Sequence, residues 1–145
     1  MTSQPLSPRE LRVWYAFRVV GEEVLARVGR DIAKATGISG SEFAVLSRLA
    51  AIGKGEMQQL HLARSLGWDK SRLSHQLTRM QDRALIERRR DQGQAVKIVL
   101  TKTGRGRLET ARPIHAEAVR RHLLSRLTVE QVDTLVRVSN LLGDE

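Results

Sequence analysis

Seven residues in one ten-residue run, Lys70, Ser71, Arg72, Ser74, His75, Gln76 and Arg79, supply the donors and acceptors that base edges and phosphate oxygens require. Arg72, His75, Gln76 and Arg79 are long enough to reach a base edge. Lys70, Ser71 and Ser74 suit phosphates, because the free backbone N–H groups of a helix start point outward. His75 reads as a neutral hydrogen-bonder, or as a group whose protonation near the ordinary pKa of about 6.5 adds charge at a groove. Four further cations follow at Arg88, Arg89, Arg90 and Lys97, and strand alternation keeps the three arginines from all facing one way. The plain alternative for the whole set is a solvated basic face.

The charge is concentrated where these residues lie. The 145-residue chain carries a net charge of +9, and residues 70 to 107 hold eleven Lys or Arg against Asp82, Glu87 and Asp91. A positive field gathered on one part of a molecule is the footprint of a polyanion-binding surface. A hydrophobic content of 41% fills the core of one domain, taken here as 1–145. With no cysteine, disulfides, thiolate metal sites and thiol redox chemistry are excluded. The start, MTSQPLSPRE, has no apolar targeting region and no apolar stretch approaches a membrane span, so a soluble, cytoplasmic protein without a membrane partner is expected.

The elements that position the run follow from period and punctuation. Asp69 to Leu85 reads as one helix, capped by Asp69, with Leu73, Leu77, Met80 and Ala84 as its apolar stripe. A short helix from about Met57 to Leu66, with Leu60, Ala63 and Leu66 inward, precedes it across Gly67-Trp68, a helix-turn-helix arrangement. Beyond Leu85 the period becomes alternating. Residues 86–90 and 95–100 flank Asp91-Gln92-Gly93-Gln94, a basic β-hairpin with Val96, Ile98 and Leu100 inward and Lys97 outward.

Flanking helices complete the order. Ser7-Pro8-Arg9-Glu10 opens a long helix to about Thr36, ended by Gly37, whose apolar residues cover more than one stripe. Ser39 and Glu42 form a second capping box, for a helix that stops near Gly53. Thr101 caps a helix that Pro113 should kink or divide, and Thr128 and Gln131 box the last one. Trp14, Tyr15 and Phe17 read as core or dimer contacts, with a ligand pocket as the alternative. His61, His115 and His122 read as surface or packing residues rather than a metal site. No nucleophile motif, phosphate loop or cofactor motif is present, so neither an enzyme nor a cofactor is expected.

This order resembles the MarR family of winged-helix transcriptional regulators over roughly residues 9 to 142. The similarity lies in Asp69-Lys70-Ser71-Arg72-Leu73-Ser74-His75-Gln76-Leu77, continuing through Arg79-Met80 and Ala84-Leu85-Ile86-Glu87-Arg88. Leu100-Thr101-Lys102-Thr103-Gly104 and the two flanking helical regions add to it. The resemblance implies a mainly α fold with a small β-hairpin wing, helices over 7–36 and 102–143 that build a homodimer, and a winged helix-turn-helix over 39–100. It implies a repressor that binds double-stranded DNA at an inverted repeat and is released by a small-molecule effector. A nonspecific nucleic-acid-binding or architectural protein is the alternative. The tip departs from the family, whose usual Asp and arginines are replaced by Asp91-Gln92-Gly93-Gln94-Ala95. The minor-groove arginine therefore does not carry over, and Arg89 or Arg90 is left to substitute.

Overall fold

A computed structural model describes residues 4–90, 93 and 95–143. The chain starts with α1 (Pro8–Arg18), a π-helical turn (Val19–Glu23) and α2 (Val24–Thr36), through which the backbone stays helical. Ser7 and Glu10 form the expected capping box, and Gly37 closes α2 at φ 75°, a conformation that favours glycine. Next come α3 (Gly40–Ala51), boxed by Ser39 and Glu42, and strand β1 (Glu56–Gln58). Helices α4 (Gln59–Leu66) and α5 (Lys70–Asp82) follow, then β2 (Ile86–Arg89) and β3 (Lys97–Leu100). Helix α6 (Lys102–His122), a 3-10 turn (Leu124–Arg126) and α7 (Val129–Gly143) end the described chain.

The three strands form one antiparallel sheet in the order β1-β3-β2. Glu56 pairs with Val99 and Gln58 with Lys97, while Ile86 pairs with Leu100 and Arg89 with Lys97. The expected hairpin is therefore two strands of a three-stranded sheet, with β3 at its centre. Met57 is a buried strand residue, not the start of a helix. Because α4 starts two residues later than the periodicity predicts, its inward face shifts: Leu62 and Ala63 are buried and Leu60 is exposed. Pairing to β3 satisfies the β1 backbone, which outweighs local helix preference.

α5 also ends earlier than expected. Leu73, Leu77 and Met80 are completely buried, but Ala84 is exposed at φ 60°. That left-handed residue costs about 1–2 kcal/mol and turns the chain so that Leu85 and Ile86 enter the core. Thr101 then ties the turn to the next helix. Its hydroxyl lies 2.6 Å from the Ala84 carbonyl and accepts from the Gly104 N–H at 2.9 Å. A side chain on Gly104 would collide with the Leu85 carbonyl, so the Thr101–Gly104 spacing is a packing requirement.

One core joins these parts. Leu73, Leu77 and Met80 meet Val45, Leu46 and Leu49 of α3, Leu62 of α4, Ile98 of β3 and Leu108 of α6. α2 lies along α6 and contributes Val28 and Ile32. α6 is not divided at Pro113. Both Pro113 and Glu109 are exposed, so water can serve the carbonyl that the proline leaves without a donor. The outermost helices behave differently, since α1 and α7 bury no residue of their own.

Candidate nucleic-acid interface

The two faces of α5 separate cleanly at most positions. Asp69 Oδ1 accepts from the Arg72 N–H at 2.8 Å, capping the helix, and the buried Leu73, Leu77 and Met80 fix its roll. Lys70, Ser71, Arg72, Ser74, His75 and Arg79 all lie on the exposed side. Gln76 does not join them. It is only 6% exposed, and its Oε1 accepts from Arg79 Nη2 at 2.7 Å, so it sits behind the exposed face and holds one of that face's arginines. The stripe spacing from Leu73 to Leu77 and Met80 was the available signal, because position 76 falls beside those three residues.

The hairpin cations divide as alternation predicts. Arg88 folds onto α5: Nη2 donates to the Ser74 carbonyl at 2.6 Å and Nη1 to Thr78 Oγ1 at 3.0 Å. Its backbone N–H donates to Gln81 Oε1 at 3.1 Å. Arg88 thus braces the helix against the sheet. Arg89, whose Nη2 lies 3.0 Å from Glu87 Oε2, and Arg90 are exposed. Lys97 is half-buried with Nζ 3.5 Å from Glu56 Oε1. Asp91, Gln92 and Gln94 of the hairpin turn lie outside the described residues.

Part of the basic segment is structural. Arg83 Nη1 pairs with the buried Glu42 carboxylate at 2.6 Å and its Nη2 reaches the Gly37 carbonyl at 3.2 Å. Arg107 Nη2 donates to the Thr36 carbonyl at 2.8 Å. Burying a charge is costly unless it is paired, and Arg83 supplies the partner for Glu42. These two arginines and Arg88 serve the fold, and the exposed cations of the segment lie on the outer face of α5, on the hairpin and at the start of α6.

Beside the start of α5 is a cleft of about 1020 Å³ between α2, α3 and α6. Val28, Ile32 and Phe43 give it an apolar floor, and Arg48, Arg72 and Arg112 stand at its border with no carboxylate among the lining residues. The Arg72 guanidinium lies 4.0 Å over the Trp68 ring. In the sequence Trp68 stands only as part of the turn between two helices. The signal was its position immediately before the Asp69 cap, where a large apolar residue commonly packs back on the first helical turn.

The remaining histidines are dispersed. His115 stacks on Phe43 with centroids 4.4 Å apart, and burial lowers its pKa. His122 Nε2 lies 2.8 Å from Asp31 Oδ2, and His61 is exposed. Among the described residues no three His, Asp or Glu gather as a metal site, and no helix is long and apolar enough to cross a membrane.

Comparisons with known proteins place this geometry. Residues 36–95 match the sequence profile of the MarR family. No curated protein matches the sequence. Among solved structures, AbsC, a MarR family transcriptional regulator from Streptomyces coelicolor, is 26% identical, covering 98% of this chain and 97% of its own, with a TM-score of 0.84. Sco3205 from Streptomyces coelicolor, a MarR family regulator solved in complex with DNA, is 23% identical over 98% of this chain and 91% of its own, with a TM-score of 0.86. The organohalide-sensing regulator RdhR-CbdbA1625, solved with 2,4-dichlorophenol bound, is 22% identical over 97% of this chain and 88% of its own, with a TM-score of 0.77. The sequence profile of the MarR family is thus matched across the helix-turn-helix, and the fold is shared nearly end to end with structures of MarR family transcriptional regulators.

Proposed function

We propose that the protein is a homodimeric repressor that reads an inverted-repeat operator with α5 and releases it when a small molecule enters the cleft. The observation that carries this reading is the division of α5 into a face locked in the core and a face of exposed donors. Arg72, His75 and Arg79 are assigned to base edges, and Lys70, Ser71 and Ser74 to phosphates. Arg89, Arg90 and Lys97 are assigned to the backbone beside the wing. Gln76 and Arg88, placed among the base and wing contacts by sequence, are reassigned to supporting Arg79 and α5.

Dimerisation rests on the apolar residues that α1 and α7 leave exposed, including Trp14, Phe17, Val136 and Leu141. Two-fold symmetry would set paired α5 helices in successive major grooves about one helical turn apart. The effector reading rests on the cleft and its apolar floor, and RdhR-CbdbA1625 offers a parallel for a bound phenol.

Selection of bound fragments from the host genome, followed by competition against random DNA across a salt series, tests the reading. A regulator keeps a large specificity ratio while affinity falls with salt. The same affinity for every duplex would instead identify a nonspecific nucleic-acid-binding protein, the alternative that the basic segment alone would fit. Arg72→Ala should weaken the operator about 5- to 150-fold with little change on random DNA.

A further inference from the structure

Both connections between the winged part of the chain and its flanking helices meet at the residues that follow α5. Residues 37–39 lead from α2 into α3, and Thr101 leads from β3 into α6. In the first connection the Gly37 carbonyl accepts from Arg83 Nη2 at 3.2 Å. In the second the Thr101 hydroxyl lies 2.6 Å from the Ala84 carbonyl and 3.0 Å from that of Leu85. We propose that Arg83 is a positioning residue: it fixes the angle between α5 and the rod of α1 and α2, and through that angle the half-site spacing that the protein accepts. This rests on the reading of the protein as a homodimer on an inverted repeat.

One guanidinium joins three elements. Arg83 Nη1 lies 2.6 Å from each oxygen of the buried Glu42 carboxylate, whose Oε1 also accepts from the Ser39 N–H at 3.0 Å at the start of α3. The Arg83 backbone N–H donates to the Arg79 carbonyl at 3.3 Å, so the side chain springs directly from the last turn of α5. Arg107 of α6 grips the same corner, with Nη2 donating to the Thr36 carbonyl at 2.8 Å. The last carbonyls of a helix have no partner within it. Those of Thr36 and Gly37, at the end of α2, find theirs on α6 and α5.

Packing elsewhere leaves the angle open. Where α2 meets α3, Gly29 and Gly40 face each other, and a Cβ on Gly40 would stand 3.0 Å from Gly29 Cα. Two bare backbones touch there, whereas crossing angles are set by side-chain ridges seated in grooves. The cleft of about 1020 Å³ lies between α2, α3 and α6, so their packing is incomplete on that side. A charged fork is directional where such contacts are not. Under two-fold symmetry, turning α5 against the rod changes the separation of the paired helices. One base pair adds about 3.4 Å and about 35° between half-sites, so a held angle accepts one spacing and a released angle accepts its neighbours too.

The test compares affinity for the genome-selected operator, for that operator with one central base pair added or removed, and for one with a single base pair changed inside a half-site. Arg83→Lys keeps a charge beside Glu42 but loses the planar fork. Glu42→Gln with Arg83→Met keeps an acceptor for the capping box and strands no buried charge. The parent protein should bind the altered spacings about 10-fold more weakly. In either variant, checked as folded by circular dichroism and dimeric by sedimentation, that penalty should shrink about 5-fold while the half-site penalty stays within about 2-fold of the parent's. An unchanged spacing penalty overturns the role of Arg83 and leaves the inverted-repeat reading standing. Equal loss of both penalties overturns it as well, because that is the mark of a loosened α5 rather than a released angle. A parent protein that binds every spacing alike overturns the inverted-repeat reading, and the proposal with it.

Discussion

The middle of the molecule and its two ends bury apolar residues on opposite terms. From α2 through α6 the chain closes on itself, with Ile32, Leu46, Leu62, Leu77, Ile98 and Leu108 each fully buried. α1 and α7 bury none of their residues, leaving Trp14 51%, Phe17 57% and Leu141 80% exposed. Such a display exceeds the scattered apolar residues of an ordinary surface. The middle can specify its structure from contacts within one chain, whereas the ends leave their apolar residues uncovered within it.

Four variants, one of them a double substitution, can break or sharpen that contrast. The largest expected effect is in the middle, where Leu77→Ala should lower unfolding stability by about 2–5 kcal/mol, read as a lower urea midpoint. A loss under 1 kcal/mol would mean the middle is not closed. At the ends, Phe17→Glu with Leu141→Glu should raise the dimer dissociation constant about 100-fold in sedimentation while leaving the circular dichroism of the middle largely intact. A tight dimer after both changes would place the interface elsewhere. Arg88→Ala should cost about 1–2 kcal/mol, because the bonds to Ser74 and Thr78 vanish from beneath α5. It should also weaken all duplexes alike rather than one sequence.

The smallest effect is the pH dependence of His115. Burial lowers its pKa in the folded protein, so between that value and the ordinary one of about 6.5 the unfolded chain binds more protons. Stability contributed by neutral His115 is therefore complete above the ordinary value and is lost as pH falls below it. Urea midpoints at pH 7.5 and pH 5.5 should differ less in His115→Gln than in the parent protein. An unchanged difference would show that the Phe43–His115 stack carries no titration.

The contrast also explains what sequence could reveal. Capping boxes at Ser7, Ser39 and Thr128 and the Asp69 cap are local, and each stands where its spacing predicts. The stripe from Leu73 to Met80 was legible for the same reason. β1 was not, because its reason to be a strand is Val99, forty-three residues distant along the chain. Nor was the end of α5, where Ala84 takes a left-handed turn that alanine seldom favours. At the candidate site, exposure of Arg72, His75 and Arg79 followed from the helical period. The inward turn of Gln76 and the folding of Arg88 onto Ser74 depend on neighbours that no local pattern names.

The π-helical turn at Val19–Glu23 acts as a phase shifter in the long first helix. Such a turn accommodates one extra residue, and one residue of helix is about 100° of rotation. In an unbroken helix Trp14 and Phe17 would share a stripe with Val28 and Ile32. The wide turn takes the two pairs out of step, so one rod can hold its own body with one face and offer another face to a neighbour. A single-codon deletion inside Val19–Glu23 would remove no contact from the core, yet it would re-aim the whole leading helix.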